Sequence, residues 1–448
     1  VPVRVLAFFP HNPYPPRSGA HHRFGEVLAG LRELGCRVAL VGSRLLSETP
    51  WTDAARDALT VSEVDDLRIH RPTLLDYAVT AARVLPHRHR GTAPPFDSPA
   101  YCPPGLVRLF RRAVADLDPD VLFVSYAFWD RLVDHAADGH RVRVIDTLDM
   151  LSLQAAMRTA VGRHIAPRGR VDPAAVAAAA LREDYYDRLG LAADPREFAV
   201  YDRYSATLAV SPAEAAQIRS HAPHTRTVYL PVTHPVADVA NSHEGPPVFV
   251  AGNNPYNVQG YCYLARRVMP LVRRFRPDAA VRVVGPVTDR VMPAAGAELA
   301  GVVPDLRPVY ATARFAVCPV FGGTGQQIKI VEAMAHGLPV VALRAAADRS
   351  PLRHGESGLV ADTADEFAAH VLALSADPNL CRRLGAAARA VIAADFTRTR
   401  MVQGLAEALA APPTPGTPPG SPPPSAPSSA RPPGGTPAAS SPPASPGR

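Results

Sequence analysis

The chain has 448 residues, 47% of them hydrophobic and 20% charged, an ordinary globular composition with apolar side chains enough for two or three domain cores. Lys plus Arg outnumber Asp plus Glu by 48 to 41, a net charge of +7. That modest excess suits an anionic substrate or a lipid surface, and no basic stripe interleaved with aromatics or recognition-helix pattern favours nucleic acid. Among the 48 basic residues only Lys329 is a lysine. The cysteines, Cys36, Cys102, Cys262, Cys318 and Cys381, are odd in number and never in C-x-x-C spacing. This argues against a disulfide framework or a thiolate metal site and fits a reducing compartment. The apolar run 3–9 is too short and too weakly cationic for a secretory signal. No run approaches the ~18 residues of a membrane helix. A cytoplasmic protein is expected, with at most peripheral contact at the inner membrane face.

In chain order, 3–9 (VRVLAFF) reads as a buried strand, followed by a turn-rich loop to Gly19. Phe24, Val27, Leu28, Leu31 and Leu34 then recur at helical spacing, Gly35 ends the helix, and 38–41 forms a second strand. Strand, loop, helix, strand is the unit of a parallel sheet. Further strands are predicted at 120–125, 141–146, 206–210 and 227–230. Residues 231–247, rich in proline and polar side chains, read as a linker. The pattern then restarts with a strand at 248–252 and a helix carrying Leu264, Val268, Leu271, Val272 and Phe275. Strands at 281–285, 315–319, 339–343 and 358–361 follow, with helices at 327–336 and 364–374. The fold class is therefore α/β, with two Rossmann-like domains facing a central cleft. The first spans 1–235, the linker 236–247, the second domain 248–394 and a C-terminal helix 395–410. Residues 411–448 hold 15 of the 49 prolines among Ser, Gly, Ala and Thr. They cannot bury enough apolar surface to offset their ordering entropy, and a disordered tail is expected.

The segment 321–341, FGGTGQQIKIVEAMAHGLPVV, carries the most chemistry. A strand feeds a loop with Gly322, Gly323 and Gly325, and a helix follows. Bare amides at a helix start attract phosphate. Lys329, on that helix, is a cation near the positive end of the dipole, which is locally unfavourable unless an anion sits there. The alternative is a solvated lysine paired with Glu332. The segment is neither a nucleotide-triphosphate loop, G-x-x-x-x-G-K-[ST], nor a dinucleotide fingerprint, G-x-G-x-x-G.

A strand ending in Pro319, a glycine loop, and K-x-x-E-A-M-A-x-G-x-P-V-V resemble the donor-binding motif of retaining glycosyltransferases of the two-domain GT-B fold, family 4 in particular. Residues 248–285, 301–313 (GVVPDLRPVYATA) and 353–360 (RHGESGLV) resemble other parts of that donor domain. In the first half, 15–23 (PPRSGAHHR), 146–152 (DTLDMLS) and 209–214 (AVSPAE) resemble its N-terminal elements. The resemblance spans nearly all of 1–410.

It implies transfer of a sugar from a nucleotide diphosphate sugar to an acceptor hydroxyl, with retention, no cofactor and no metal, the acceptor being a lipid-linked molecule or a glycan. Glu332 would hold the nucleotide ribose. Thr324 stands where the broader family carries a glutamate, so its hydroxyl and the amides of Gly325 and Gln326 would meet the sugar. Gly19 and Arg23 would close on the diphosphate from the first domain, and Asp149 would contact sugar or acceptor unless it merely caps a helix. Lys329 and Asp149 are the catalytic candidates. The loop after the first donor-domain strand, with Gly252, Asn253 and Asn257 as donor-binding candidates, lacks the Arg and Lys that many members place there. The positive charge would then fall to Lys329, the helix terminus and Arg17 or Arg23. A non-catalytic partner of the same fold, and a nucleotide-sugar epimerase, stay open as alternatives.

Overall fold

The computed structural model describes residues 2–15, 18–47, 50–62, 64–90, 94–238, 241–410 and 412. Arg17 and, apart from Pro412, the tail 411–448 lie outside the described residues, so those two expectations are not addressed.

The described chain forms two parallel sheets. The first contains β1 (Arg4–Phe8), β2 (Arg37–Ser43), β3 (Asp66–His70), β4 (Val121–Ser125), β5 (Val142–Asp146), β6 (Ala206–Ala209) and β7 (Arg226–Tyr229), in spatial order β3-β2-β1-β4-β5-β6-β7. The second contains β8 (Val248–Val250), β9 (Val281–Val284), β10 (Ala297–Gly301), β11 (Ala316–Cys318), β12 (Val340–Leu343) and β13 (Gly358–Ala361), in order β10-β9-β8-β11-β12-β13. Both orders reverse direction beside the first strand of the sheet, which is where ligands enter an open α/β sheet. The inner strands are mostly apolar because helices cover both faces of a parallel sheet. β4, VLFVS, is buried at every position.

The two strands that pattern reading misses, β3 and β10, both lie at an edge. Their sequences, DLRIH and AELAG, are half-buried and carry charge, so they lack the continuous apolar run. The helix expected around 264–275 is interrupted: α-helix covers Pro255–Tyr263 and Met269–Phe275, with a wider turn over Leu264–Val268. Pro270 has no amide to donate back, which accounts for the loosened turn before it.

The domain boundary differs from the linear reading. Ala160, Val161, Ile165, Val176, Leu181 and Tyr186, inside the expected first domain, belong to the core of the second. The Val171 amide donates to the Arg290 carbonyl at 2.7 Å, and Met292 donates back to Val171 at 2.9 Å. Tyr186 Oη donates to Gln259 Oε1 at 2.8 Å and Tyr263 Oη to Glu183 Oε1 at 2.7 Å. This arm, alanine-rich and without period, gives no sequence signal of where its scattered apolar side chains go. In the opposite direction the helix Arg398–Leu409 returns to the first domain, where Met401 and Leu405 enter the core. It approaches so closely that a Cβ on Gly30 would lie 2.5 Å from Leu405 Cδ1. Arg398 also pairs with Glu26 and Glu33. Arm, linker and C-terminal helix thus tie the domains together. No helix among the described residues is long and apolar enough to cross a membrane.

Candidate functional site

The carboxyl ends of the two sheets face each other across a cavity of about 540 Å³, large enough for a nucleotide sugar. The first domain lines it with Gly19 beyond β1, Tyr126 beyond β4, Leu148 and Asp149 beyond β5, and Val210 beyond β6. The second contributes Gly252 and Asn254 beyond β8, then the loop 323–327 and Lys329 and Glu332 of the helix Ile328–Ala335 beyond β11.

The glycines of that loop are there for close approach. A Cβ on Gly322 would lie 2.4 Å from the Tyr256 ring and 2.7 Å from Tyr186 Oη. On Gly325 it would lie 2.6 Å from Asp149 Oδ1, across the domain boundary. Gly323 has φ +100°, a conformation that favours glycine. The helix begins at Ile328, so Lys329 is its second residue. Its Nζ donates to Gln327 Oε1 at 3.1 Å. Glu332 instead accepts from Tyr310 Oη at 3.1 Å. The intrahelical Lys329–Glu332 pair is therefore not formed. Burial holds the Lys329 amine below its usual range; Cys318 opposes this, and the nearby Arg349 charge adds a smaller push downward.

Asp149 is half-buried where the domains meet. Thr324 Oγ1 donates to its Oδ1 at 2.9 Å and Gln154 Nε2 to its Oδ2 at 2.9 Å. Burial raises its pKa, while Thr324, Gln154, the Arg349 charge and the Gly325 amide oppose that rise. The resemblance gave Thr324 and the Gly325 amide to the sugar; here both hold the Asp149 carboxylate. Asp149 is not a helix cap. Met150 occupies that position, and the Glu197 carboxylate takes the amides of Leu151 and Ser152 at 2.7 and 2.8 Å. Leu148 and Tyr126, at the rim, have φ +60° and +66°. Such backbone strain in non-glycine residues concentrates at functional sites.

The remaining expected residues divide. Gly19 packs against Ile328, a Cβ there falling 2.5 Å from Ile328 Cδ1, so the first helix of the first domain and the helix Ile328–Ala335 of the second start at the same spot. Asn257 is buried, donates to the Gly252 carbonyl at 3.0 Å, and keeps its Oδ1 without a partner. Gln326 accepts from the Val232 amide at 2.8 Å and leaves Nε2 unpartnered. Asn253 is exposed and not among the cavity-lining residues. Arg23 lines the cavity, yet its Nε and Nη2 bind Asp146 at 2.7–3.0 Å and its Nη1 binds the Leu230 carbonyl. The phosphate role expected of Arg23 gives way to that of a buried tie between β5 and the first helix, because a fully buried guanidinium needs a carboxylate.

Sequence reading missed Arg349 and Arg158, both on the cavity wall. Arg349 donates from Nη2 to the Gly322 carbonyl at 3.1 Å and from Nε to Ala345 at 2.7 Å, and its Nη1 is buried without a partner. No carboxylate lies within ion-pair distance of it among the described residues; burial lowers its pKa, against the opposing effects of Cys318 and of the more distant Asp149 charge. No motif precedes it. Arg158 follows Gln154 by one turn on the helix Leu151–Gly162, a spacing that flags it once Gln154 is known to line the cavity.

Residues 245–377 match the family described as Glycosyl transferases group 1. No curated protein sequence matches the chain. Among solved structures, HepE of Anabaena, in complex with UDP and glucose, is 13% identical with a TM-score of 0.54, covering 91% of this chain and 99% of HepE. Sucrose-phosphate synthase of Thermosynechococcus elongatus is 14% identical with a TM-score of 0.56, covering 90% of this chain and 98% of its own. TarM of S. aureus, as a variant in complex with fondaparinux, alpha-GlcNAc-glycerol and UDP, is 9% identical with a TM-score of 0.56, covering 91% and 100%. The fold is thus the two-domain GT-B fold over essentially the whole described chain, and the family match lies on the second domain with its glycine loop.

Proposed function

We propose that the protein transfers a sugar from a nucleotide diphosphate sugar to an acceptor hydroxyl, with retention at the anomeric carbon and without a metal. The observation that carries this reading is a pair of cations, half-buried Lys329 and buried Arg349, that meet no carboxylate in an ion pair among the described residues. Both border the cavity at a glycine loop and a helix start. Two like charges held close together and partly shielded from water are unfavourable until an anion arrives. A diphosphate is such an anion, and its charge grows as the bond to the sugar breaks, so the two cations would stabilise the transition state more than the ground state. Arg349 supplies what the loop 252–257 lacks, which favours an enzyme over a non-catalytic partner. The family match on residues 245–377 supports the same reading, as does UDP in the HepE and TarM complexes.

In this reading Glu332, oriented by Tyr310, accepts the ribose hydroxyls, and Asn257, Gln326, Gly252 and Gly19 line the path of the donor. Asp149, freed from Thr324 and Gly325 when those groups turn to the sugar, contacts the transferred sugar or the acceptor. The acceptor is a lipid-linked molecule or a glycan, and the site of action the cytoplasmic side of the membrane.

Calorimetric titration with UDP, GDP, ADP and dTDP, with and without chelator, tests the reading. One nucleotide should bind and stabilise the protein equally under both conditions. Binding of none of the four sinks the donor site, and binding that needs a divalent ion sinks the metal-free route.

A further inference from the structure

Between Asp149 and Asp172 the chain carries Arg158, Arg163, His164, Arg168 and Arg170 and no acid. This run opens the arm that leaves the first domain and settles on the second. It begins at the cavity. Asp149, which the transferase reading sets against sugar or acceptor, accepts from Gln154 Nε2 at 2.9 Å. The Gln154 carbonyl in turn accepts from Tyr256 Oη at 3.0 Å, and that hydroxyl faces the Arg158 guanidinium. Arg158 lies one turn beyond Gln154 on the helix Leu151–Gly162, is exposed, and lines the cavity. A chain of contacts thus leads from the reacting end of the site to the first cation of the arm.

The turn after that helix stays at the same rim. Arg290 donates to the carbonyls of Gly169 at 2.9 Å, Ala166 at 2.5 Å and Asn253 at 3.4 Å, and the neighbouring Asn254 lines the cavity. Arg290 therefore pins the turn against the loop after β8. Arg163, Arg168 and Arg170 are exposed on it. None of these arginines, nor Arg158 or Arg290, is in an ion pair among the described residues. The flanking acids Asp172 and Asp289 are exposed, and Asp172 takes the Ala174 amide at 2.9 Å. Farther along the same arm the pattern differs: Arg182 and Arg188 both meet Asp184 at 2.8 Å. Five guanidinium groups crowded without a counter-charge repel one another and contribute little to holding the arm. Their planar forks match phosphate and carboxylate, and a rim of one sign beside a cleft concentrates a ligand of the other. The donor diphosphate is answered by Lys329 and Arg349, so the charge of the arm is left for the second substrate.

We infer that Arg158, Arg163, Arg168, Arg170 and Arg290 form a binding rim for an acidic acceptor, a glycan bearing phosphate or carboxylate groups. Calling that ligand the acceptor rests on the transferase reading; the anion site itself rests on the arm.

Calorimetric titration of the full chain with pentagalacturonate and with pentamannose 6-phosphate, beside neutral maltopentaose, tests it at low and high salt and with and without nucleoside diphosphate. At least one acidic probe should bind once per chain, with the nucleotide present, and more weakly as salt rises. Maltopentaose should not bind. Arg158→Gln and Arg168→Gln should each weaken the acidic probe roughly two- to fivefold, the worth of an exposed charge contact. Arg163→Gln with Arg168→Gln, both at exposed positions, should weaken it further while keeping the wild-type melting temperature and nucleotide affinity. Arg88→Gln with Arg90→Gln, exposed after β3, removes the same charge elsewhere and should bind the probe as the wild type does. The proposal is overturned if neither acidic probe binds, if maltopentaose binds as well, or if nucleotide displaces the probe. Arm variants that bind as wild type, or no more weakly than the Arg88 and Arg90 pair, overturn it too. A chain that takes nucleotide but no acidic probe keeps the transferase reading and loses the rim. One that takes the probe through the arm but no nucleotide loses the transferase reading and keeps the anion site.

Discussion

Two buried arginines border one cavity, and they differ in what they meet. Arg23, in the first domain, has a carboxylate within 2.7 Å and a backbone carbonyl besides. Arg349, in the second, has two carbonyls, no carboxylate partner, and one nitrogen with nothing. A buried charge with its counter-charge in place is finished structurally; one without it is stable only because other contacts hold it there. Residue type and burial therefore do not separate a scaffold cation from a ligand cation. The partner does.

The comparison breaks most sharply at Arg23. Replacing it by Gln leaves Asp146 buried and uncompensated, and should cost about 3–5 kcal/mol of stability, measured by urea denaturation at neutral pH. A loss below about 1 kcal/mol would show that the tie is not structural and return Arg23 to the phosphate site.

At the other pole, Lys329→Ala should lower kcat by about 10²–10³-fold, the usual consequence of removing one donor aimed at developing charge, with little change in Tm. Arg349→Gln should weaken nucleotide diphosphate binding about ten- to hundredfold, since a hydrogen bond to a charged group is worth roughly 1.5–3 kcal/mol. Its stability should stay within about 1 kcal/mol of wild type, because relief of an unpaired buried charge offsets the lost carbonyl contacts. If Arg349→Gln unfolds the protein as Arg23→Gln does, the distinction between the two arginines fails. Because burial lowers the Lys329 pKa, diphosphate affinity should fall with rising pH sooner than an ordinary amine allows. The same titration on Lys329→Ala should lack that limb.

What could be read from the sequence follows the same division. β1, β4 and β12 are near-continuous apolar runs, so their place in the sheets follows from composition and spacing. The glycine loop and Lys329 are legible because glycine in a loop before a helix, and one lysine among arginines, are departures that local chemistry must explain. Arg23 is legible as a residue near the site but not as a paired one, since Asp146 lies far along the chain and only the adjacency of helix and β5 joins them. Arg349 is invisible, because nothing in DRS after β12 tells that its side chain turns beneath Gly322. The arm is invisible for a related reason: Val176, Leu181 and Tyr186 have no common period, and their place in the second domain's core depends on surfaces that exist only after folding.

A third buried group, smaller in effect, extends the comparison to acids. Glu214 lies in the first turn of the helix Pro212–His221 beside the cavity residue Val210, whose amide donates to Oε2 at 2.9 Å, while Oε1 has no partner. Burial pushes its pKa up to about 8, and the Asp149 charge adds to the rise, against the partial relief given by Thr147, the Val210 amide and Arg23. A carboxyl raised in the folded state binds its proton more tightly than the unfolded chain does. Its contribution to stability is therefore complete below the unfolded value near 4.5 and is lost as pH rises through about 8. Gln at this position presents the same carbonyl oxygen to Val210 and cannot ionise. Glu214→Gln should come closest to the wild type in Tm below the unfolded value near 4.5 and exceed it by several degrees in alkaline buffer. Parallel melting curves across the pH range would instead mean that Glu214 is ionised in the fold and that Arg23 answers its charge as well as that of Asp146.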